Sequence, residues 1–163
     1  MLSVSVTNIR QYKAKDVPSI IELFSELQEA EHNVEPNRRT GMDAARTYFG
    51  KVHKRLMRKK GKLFVAEHQH KIIGLIVLFI KSNDIIERYG KHIYISDIVV
   101  KKEYRGKGIG MELIQKAEIF ARKHRIKEIR VTSLIKNTAA LSLYHKANFQ
   151  DKEISLAKTI NDM

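Results

Sequence analysis

Ile93-Tyr94-Ile95-Ser96-Asp97-Ile98-Val99-Val100, followed shortly by Arg105-Gly106-Lys107-Gly108-Ile109-Gly110, is the stretch that decides the fold. The first part is apolar and rich in β-branched residues, which reads as a strand. The second is a glycine-rich turn. From about Gly108 to His124 the apolar residues Leu113, Ile114, Ala117, Phe120 and Ala121 recur at helical spacing. The order is therefore strand, turn, helix. Glycines at alternate positions leave backbone N–H groups open to a ligand, because no Cβ blocks the approach. The helix adds its own orphan N–H groups and the positive end of its dipole. Such a turn takes a phosphate or pyrophosphate. Arg105 and Lys107 add positive charge to it.

Spacing narrows the type of anion site. A dinucleotide fingerprint, G-x-G-x-x-G, begun at Gly106 needs a third glycine where Met111 stands. A Walker loop needs Lys-Ser or Lys-Thr directly after a glycine, and no such pair occurs. The G-x-S-x-G elbow of a serine hydrolase is absent as well.

Outward from the turn, the pattern predicts a strand over Val4–Tyr12 and a helix from Asp16, as N-cap, to about Glu31. A polar loop spans His32–Gly41. A second helix covers Met42–Lys60, with Ala45, Tyr48, Phe49, Val52, Leu56 and Met57 on its apolar face and Gly61 as its end. Leu63–Glu67 and Lys71–Lys81 read as strands joined by a turn at His68-Gln69-His70. The second of these is apolar throughout and is expected at the sheet centre. His92–Val100 is the strand before the glycine turn. A further strand falls within Ile126–Leu134, Asn137 caps a helix through Ala147, and Phe149–Ile160 reads as one or two closing strands. The early strands, joined by short turns, are expected antiparallel. The unit around the glycine-rich helix is a β-α-β crossover, hence a parallel pair. The expected class is α/β (α+β), a mixed and mostly antiparallel sheet with helices on both faces, over one domain of residues 1–163.

The chain has 163 residues, no cysteine and a formal net charge of +13. Absence of cysteine excludes a cysteine nucleophile, disulfides and thiolate metal sites. The N-terminus lacks a signal-peptide core, and the longest apolar run, Ile72 to Ile80, is too short to span a bilayer. A cytoplasmic protein without a membrane partner is the expectation. Basic residues concentrate in Lys51–Lys62, while Glu22, Glu26, Glu29, Glu31 and Glu35 cluster upstream. Solvated helix faces account for most of this. A nucleic-acid-binding module is the weaker alternative, since no basic strand with interleaved aromatics occurs. His68 and His70 have no third ligand nearby in sequence, so no metal is expected.

What fits the turn is Arg-x-x-Gly-x-Gly, read as Arg105, Gly108 and Gly110. Downstream lies Asn137-Thr138-Ala139-Ala140-Leu141-Ser142-Leu143-Tyr144, then Asn148-Phe149. On these two motifs the chain resembles the GCN5-related N-acetyltransferase (GNAT) superfamily, closely over Ile95–Phe149 and in element order from Ile9 to Ile160. Relatives often carry a Glu-Asp pair where this chain has Ser96-Asp97, and a Gly-Phe pair where it has Asn148-Phe149. Asn tolerates the left-handed conformation expected after a helix.

The resemblance implies an acetyl-CoA-dependent N-acetyltransferase. Coenzyme A would place its pyrophosphate on Arg105, Gly106, Lys107, Gly108, Ile109 and Gly110. Its pantetheine arm would lie strand-like along the backbone of Ile98, Val99 and Val100, near Asn137. Tyr144 would lie near the thioester sulfur and protonate the leaving thiolate. The acceptor is expected to be a small-molecule or peptide amine, and a homodimer is left open. At a pKa of about 10.4 only roughly 1 in 2,500 alkylamines is neutral at pH 7, so a base is needed. Asp97 is the first candidate, through water, ahead of Tyr94, Glu87 and His92. A backbone N–H near Val99 would stabilise the oxyanion. With no cysteine, direct transfer in a ternary complex is favoured over an acyl-enzyme. The first two helices and their loop, Glu26–Gly41, would shape the acceptor pocket, and their glutamates suit a cationic amine. A CoA-binding sensor without turnover is the alternative within the same resemblance.

Overall fold

The computed structural model of the protein describes residues 8–58 and 61–160. Its sheet has five strands in chain order, β1 to β5. β1 (Asn8–Gln11), β2 (Gly61–His68), β3 (Lys71–Ser82) and β4 (Lys91–Val100) pair antiparallel, each with the next. β5 (Ile129–Val131) lies parallel to β4. The β2–β3 link is a two-residue turn in which Gln69 and His70 both have positive φ, as a tight hairpin demands. β3 is buried from Ile72 to Phe79, as expected of a central strand covered on both faces.

Helices cover both faces. α1 (Val17–Val34) and α2 (Met42–Arg58) bring Ile20, Leu23, Phe24, Ala45 and Val52 onto Leu63, Val65, Leu75, Val77 and Phe79. α3 (Ile109–Lys123) brings Leu113, Ala117 and Phe120 onto Ile73, Ile76, Leu78, Ile93 and Ile95. Each fully buried Leu, Ile or Phe contributes about 1.5–3 kcal/mol. α4 (Thr138–Lys146) packs at the start of α3, where Leu143 fills the space a Cβ on Gly110 would take, 2.9 Å away.

Several expectations change. Gly61 does not end α2 but opens β2. A Cβ there would fall 2.5 Å from the Phe79 ring and 2.8 Å from the Leu78 carbonyl, so the close approach of β3 requires glycine. Asp16 sits at the start of α1, but its carboxylate does not cap the helix. It is held instead by both Arg10 Nη atoms, at 2.7 and 3.0 Å, and by the Lys13 N–H at 2.7 Å. The first part of the Val4–Tyr12 strand and the Lys59-Lys60 end of the second helix lie outside the described residues.

The closing strands over Phe149–Ile160 do not form. Phe149 packs edge-on against Tyr144, at 5.7 Å between ring centroids, but Ile154, Leu156 and Ile160 are 81%, 90% and 74% exposed. Alternation of apolar residues sets a face, yet a strand needs a neighbour for its backbone, and among the described residues the tail pairs with no strand. Lys152 ties it to Glu87 and Glu128 by ion pairs of 3.4 and 3.2 Å.

Candidate active site

β4 is irregular at its middle. Val77 pairs with Asp97 and Leu78 with Ile95, so Ser96 is an extra residue on β4. Such a bulge bends a strand and raises its twist. It also switches which residues face which side. Ile93 and Ile95 pack toward α3, whereas Val99 packs toward α1 and α2. Pairing with β5 covers only Ile93–Ile95, and it stops where the bulge begins. This divergence explains why β5 is shorter than the Ile126–Leu134 segment suggests.

Beyond the bulge, one edge of β4 is open. The Lys101 N–H donates to Ile73 O of β3 at 2.8 Å. Backbone groups alternate between the two edges of an antiparallel strand, so those of Val99 also face β3. Those of Ile98 and Val100 face the gap. Arg105 Nε reaches Val100 O from that side, at 2.9 Å. The N–H that the geometry offers at the gap is therefore that of Ile98 or Val100.

The gap leads to the glycine turn. Gly106 and Gly108 have φ of +74° and +87°, values that L side chains rarely adopt. A methyl on either would meet no atom within 4 Å, so the turn leaves open space above its backbone. Gly108 is the N-cap of α3 and has no side chain to cap it. The first N–H groups of the helix are thus available to an anion. The donor set and the open space fit a pyrophosphate. Both basic residues of the turn already have contacts within the chain. Arg105 lies 3.8 Å from Glu26, and Lys107 lies 5.1 Å above the Tyr104 ring. Glu26 also accepts the Lys102 N–H at 3.0 Å, which ties the loop to α1.

Asp97 is only 7% exposed and points toward α2. Burial pushes its carboxyl above the usual range, partly countered by hydrogen bonds from Tyr48 and Ser96 and by the Arg55 charge. Tyr48 Oη donates to Asp97 Oδ1 at 2.6 Å, while Oδ2 is buried with no partner among the described residues. Tyr144, on α4, is 6% exposed. Burial and the nearby Asp97, Glu31 and Tyr94 raise its pKa, so it stays protonated at neutral pH. Glu31 is raised by burial and by Asp97, against the lowering effect of Arg38, which it pairs at 3.0 Å. Asp97, Tyr48, Tyr144 and Glu31 thus form one electrostatically coupled group.

The remaining candidates divide. Tyr94 is near enough to Tyr144 to affect it, and Lys81 sits 3.2 Å above its ring. His92 is buried against Asn83, and Glu87 is held by Arg130 at the other end of β4. Asn137 spends its Oδ1 as the N-cap of α4, accepting from Ala140 N–H at 3.2 Å. Asn148 takes φ of +63°, the conformation its place after a helix requires. Among the described residues no cluster of three His, Asp or Glu suits a metal, and no helix is long and apolar enough to cross a membrane. Sequence reasoning placed Tyr48 among core residues and took Glu26 as part of an acidic face. Their partners lie on β4 and the loop after it, which no local pattern reveals.

Known proteins similar to this chain include acetyltransferases. A sequence model described as "Acetyltransferase (GNAT) family" matches residues 17–149. Thialysine N-epsilon-acetyltransferase of Bos taurus is 40% identical over 62 residues, covering 38% of this chain and 36% of that protein. An uncharacterized N-acetyltransferase of Methanocaldococcus jannaschii is 30% identical over 110 residues, covering 68% of this chain and 47% of its own length. The matches thus span less than half of these curated relatives. A solved Bacillus halodurans protein superposes with a TM-score of 0.80 at 19% identity, covering 94% of this chain and 99% of that one.

Proposed function

The chain belongs to the acetyltransferase (GNAT) family, and on that premise we propose that it is an acetyl-CoA-dependent N-acetyltransferase, in one catalytic domain, acting on a primary amine. The observation that carries this is the open edge of β4. It runs from Ser96 to an uncapped helix start, and Asp97, next to the bulge, is near enough to Tyr144 to raise its pKa. An extended pantetheine arm and a pyrophosphate need such an edge and such a helix.

The residues divide the work. The turn from Arg105 to Gly110 and the first N–H groups of α3 hold the pyrophosphate. Ile98 and Val100 offer strand-like backbone bonds to the arm. Asp97 takes a proton from the acceptor ammonium, directly or through water. Burial raises its pKa, which makes the carboxylate a stronger base than an exposed aspartate. The freed nitrogen lone pair then forms the C–N bond at the thioester carbonyl. An N–H at the gap faces the oxyanion. As the C–S bond breaks, the nitrogen gives up its second proton, which ends on the leaving sulfur as a thiol, and the Tyr144 hydroxyl donates a hydrogen bond to that sulfur while it carries negative charge. A tyrosine with a raised pKa serves better as a hydrogen-bond donor to the thiolate than as a full acid. No cysteine is present to carry the acetyl group, which favours direct attack in a ternary complex.

Asp97 supports an acceptor that arrives as a cation; Glu31, near enough to feel Asp97, is already paired with Arg38 at 3.0 Å. Thiol release from acetyl-CoA is to be measured over thialysine, lysine, spermidine, kanamycin and a peptide with a free N-terminus. Turnover with a cationic amine is expected. Acetyl-CoA binding with no turnover across the panel would favour a CoA sensor instead.

A further inference from the structure

Tyr48 lies on the inner side of α2, 49 residues away in sequence from Asp97. Its ring packs edge-on against Phe24, with centroids 5.1 Å apart and planes at 85°. Phe24 is fully buried, so the tyrosine has a rigid backing. Its hydroxyl ends 2.6 Å from Asp97 Oδ1. The two oxygens of Asp97 are therefore unequal: among the described residues Oδ1 is held by Tyr48 and Oδ2 has no hydrogen-bond partner. A buried carboxylate oxygen without a partner is unfavourable and rare. In a site for proton transfer, it marks the lone pair left for the substrate.

We propose that Tyr48 is a positioning residue of the acetyl-transfer site, holding Asp97 by Oδ1 so that Oδ2 stays free to take the proton of the acceptor amine. This rests on Asp97 acting as the base. Tyr48 can keep donating across the working pH range, because burial and the Asp97 charge push its own pKa up. The other groups acting on Asp97 or coupled to it come from every side. They are Ser96 on its own strand, Arg55 of α2, Glu31 of α1 and Tyr144 of α4. Ser96 also donates to the carboxylate, and Tyr48 supplies the short bond to Oδ1, at 2.6 Å. Losing that donor removes support from the charged carboxylate, so Asp97 keeps its proton to higher pH.

The test compares the parent with Tyr48→Phe, which keeps the ring and deletes the donor. Tyr48→Met is the second variant should the first fail to fold, since methionine fills irregular space without a strong donor. Two readouts are taken. In protein labelled with carbon-13 at aspartate Cγ, the Asp97 signal is identified by its loss in Asp97→Asn and titrated with pH. The expected midpoint is higher in Tyr48→Phe than in the parent. In thiol release with thialysine, kcat is expected to fall about tenfold at pH 7 with KM for acetyl-CoA unchanged, and the loss should shrink as pH rises. An unmoved Asp97 midpoint overturns the proposal, as does a rate loss that is equal at every pH. The base assignment fails separately: Asp97→Asn would then retain full turnover. A silent Tyr48→Phe beside an impaired Asp97→Asn rejects the role of Tyr48 alone.

Discussion

Replacing Gly108 by alanine tests the phosphate turn with little else disturbed. Gly108 has φ of +87° and ψ of −6°, and a methyl there would meet nothing within 4 Å. Crowding therefore plays no part, and the whole effect is conformational. An L residue held in the left-handed region costs about 1–2 kcal/mol. That strain has two outlets. If the turn keeps its shape, the folded state bears it, and Tm falls by about 2–8 °C at roughly 2–4 °C per kcal/mol for a chain of this size. If the turn relaxes to negative φ, the N–H groups of Ile109 and Gly110 swing out of register. Acetyl-CoA then binds about tenfold more weakly for each 1.4 kcal/mol lost. Calorimetric titration with acetyl-CoA and a thermal melt, done on the same preparation, read both outlets. Gly110→Ala is the contrast, because its φ is ordinary and its Cβ would only press on the Leu143 side chain at 2.9 Å. A Gly108→Ala protein with parent Tm and parent affinity would refute the reasoning.

Other perturbations probe separate links. Tyr144→Phe keeps the ring against Phe149 and removes the donor to sulfur, so thiol release should slow about tenfold to a hundredfold while acetyl-CoA affinity holds; an unchanged rate would remove Tyr144 from the chemistry. Asp97→Asn should lower turnover yet raise Tm by about 2–4 °C at pH 7. The fold lifts the Asp97 pKa above its unfolded value, so the ionised form opposes folding at neutral pH and is relieved as pH falls. A drop in Tm would contradict that sign. Asp16 behaves oppositely: its hydrogen bonds from Arg10 hold its pKa low. Its stabilisation is full above the unfolded pKa of about 3.9 and fades as pH falls through the depressed folded value. Asp16→Asn should cost about 2 kcal/mol at pH 7 and flatten the acid limb of denaturant-unfolding stability; a limb of unchanged steepness would count against it.

The sequence was informative where the cause is local. Strand, glycine turn and helix follow from β-branched residues, alternate glycines and apolar spacing within one continuous stretch. Asn137 as a cap and Asn148 in a left-handed turn are local too. The bulge at Ser96 was not legible, because a register shift is a property of two strands. Neither was the short β5, which ends where the bulge turns β4 away. The tail shows the reverse error: Ile154, Leu156 and Ile160 alternate as a strand would, but among the described residues no edge pairs with them. Tyr48 and Glu26 act across the fold on Asp97 and the Lys102 N–H. Read along the chain, they were only a core aromatic and a surface acid.

The central claim is that the open edge of β4 and the start of α3 form an acetyl-CoA site. Calorimetric titration of the protein with acetyl-CoA tests it most directly. The account predicts saturable binding of one molecule per chain, weakened by Gly108→Ala and by raised salt. Absence of binding at millimolar acetyl-CoA would contradict it.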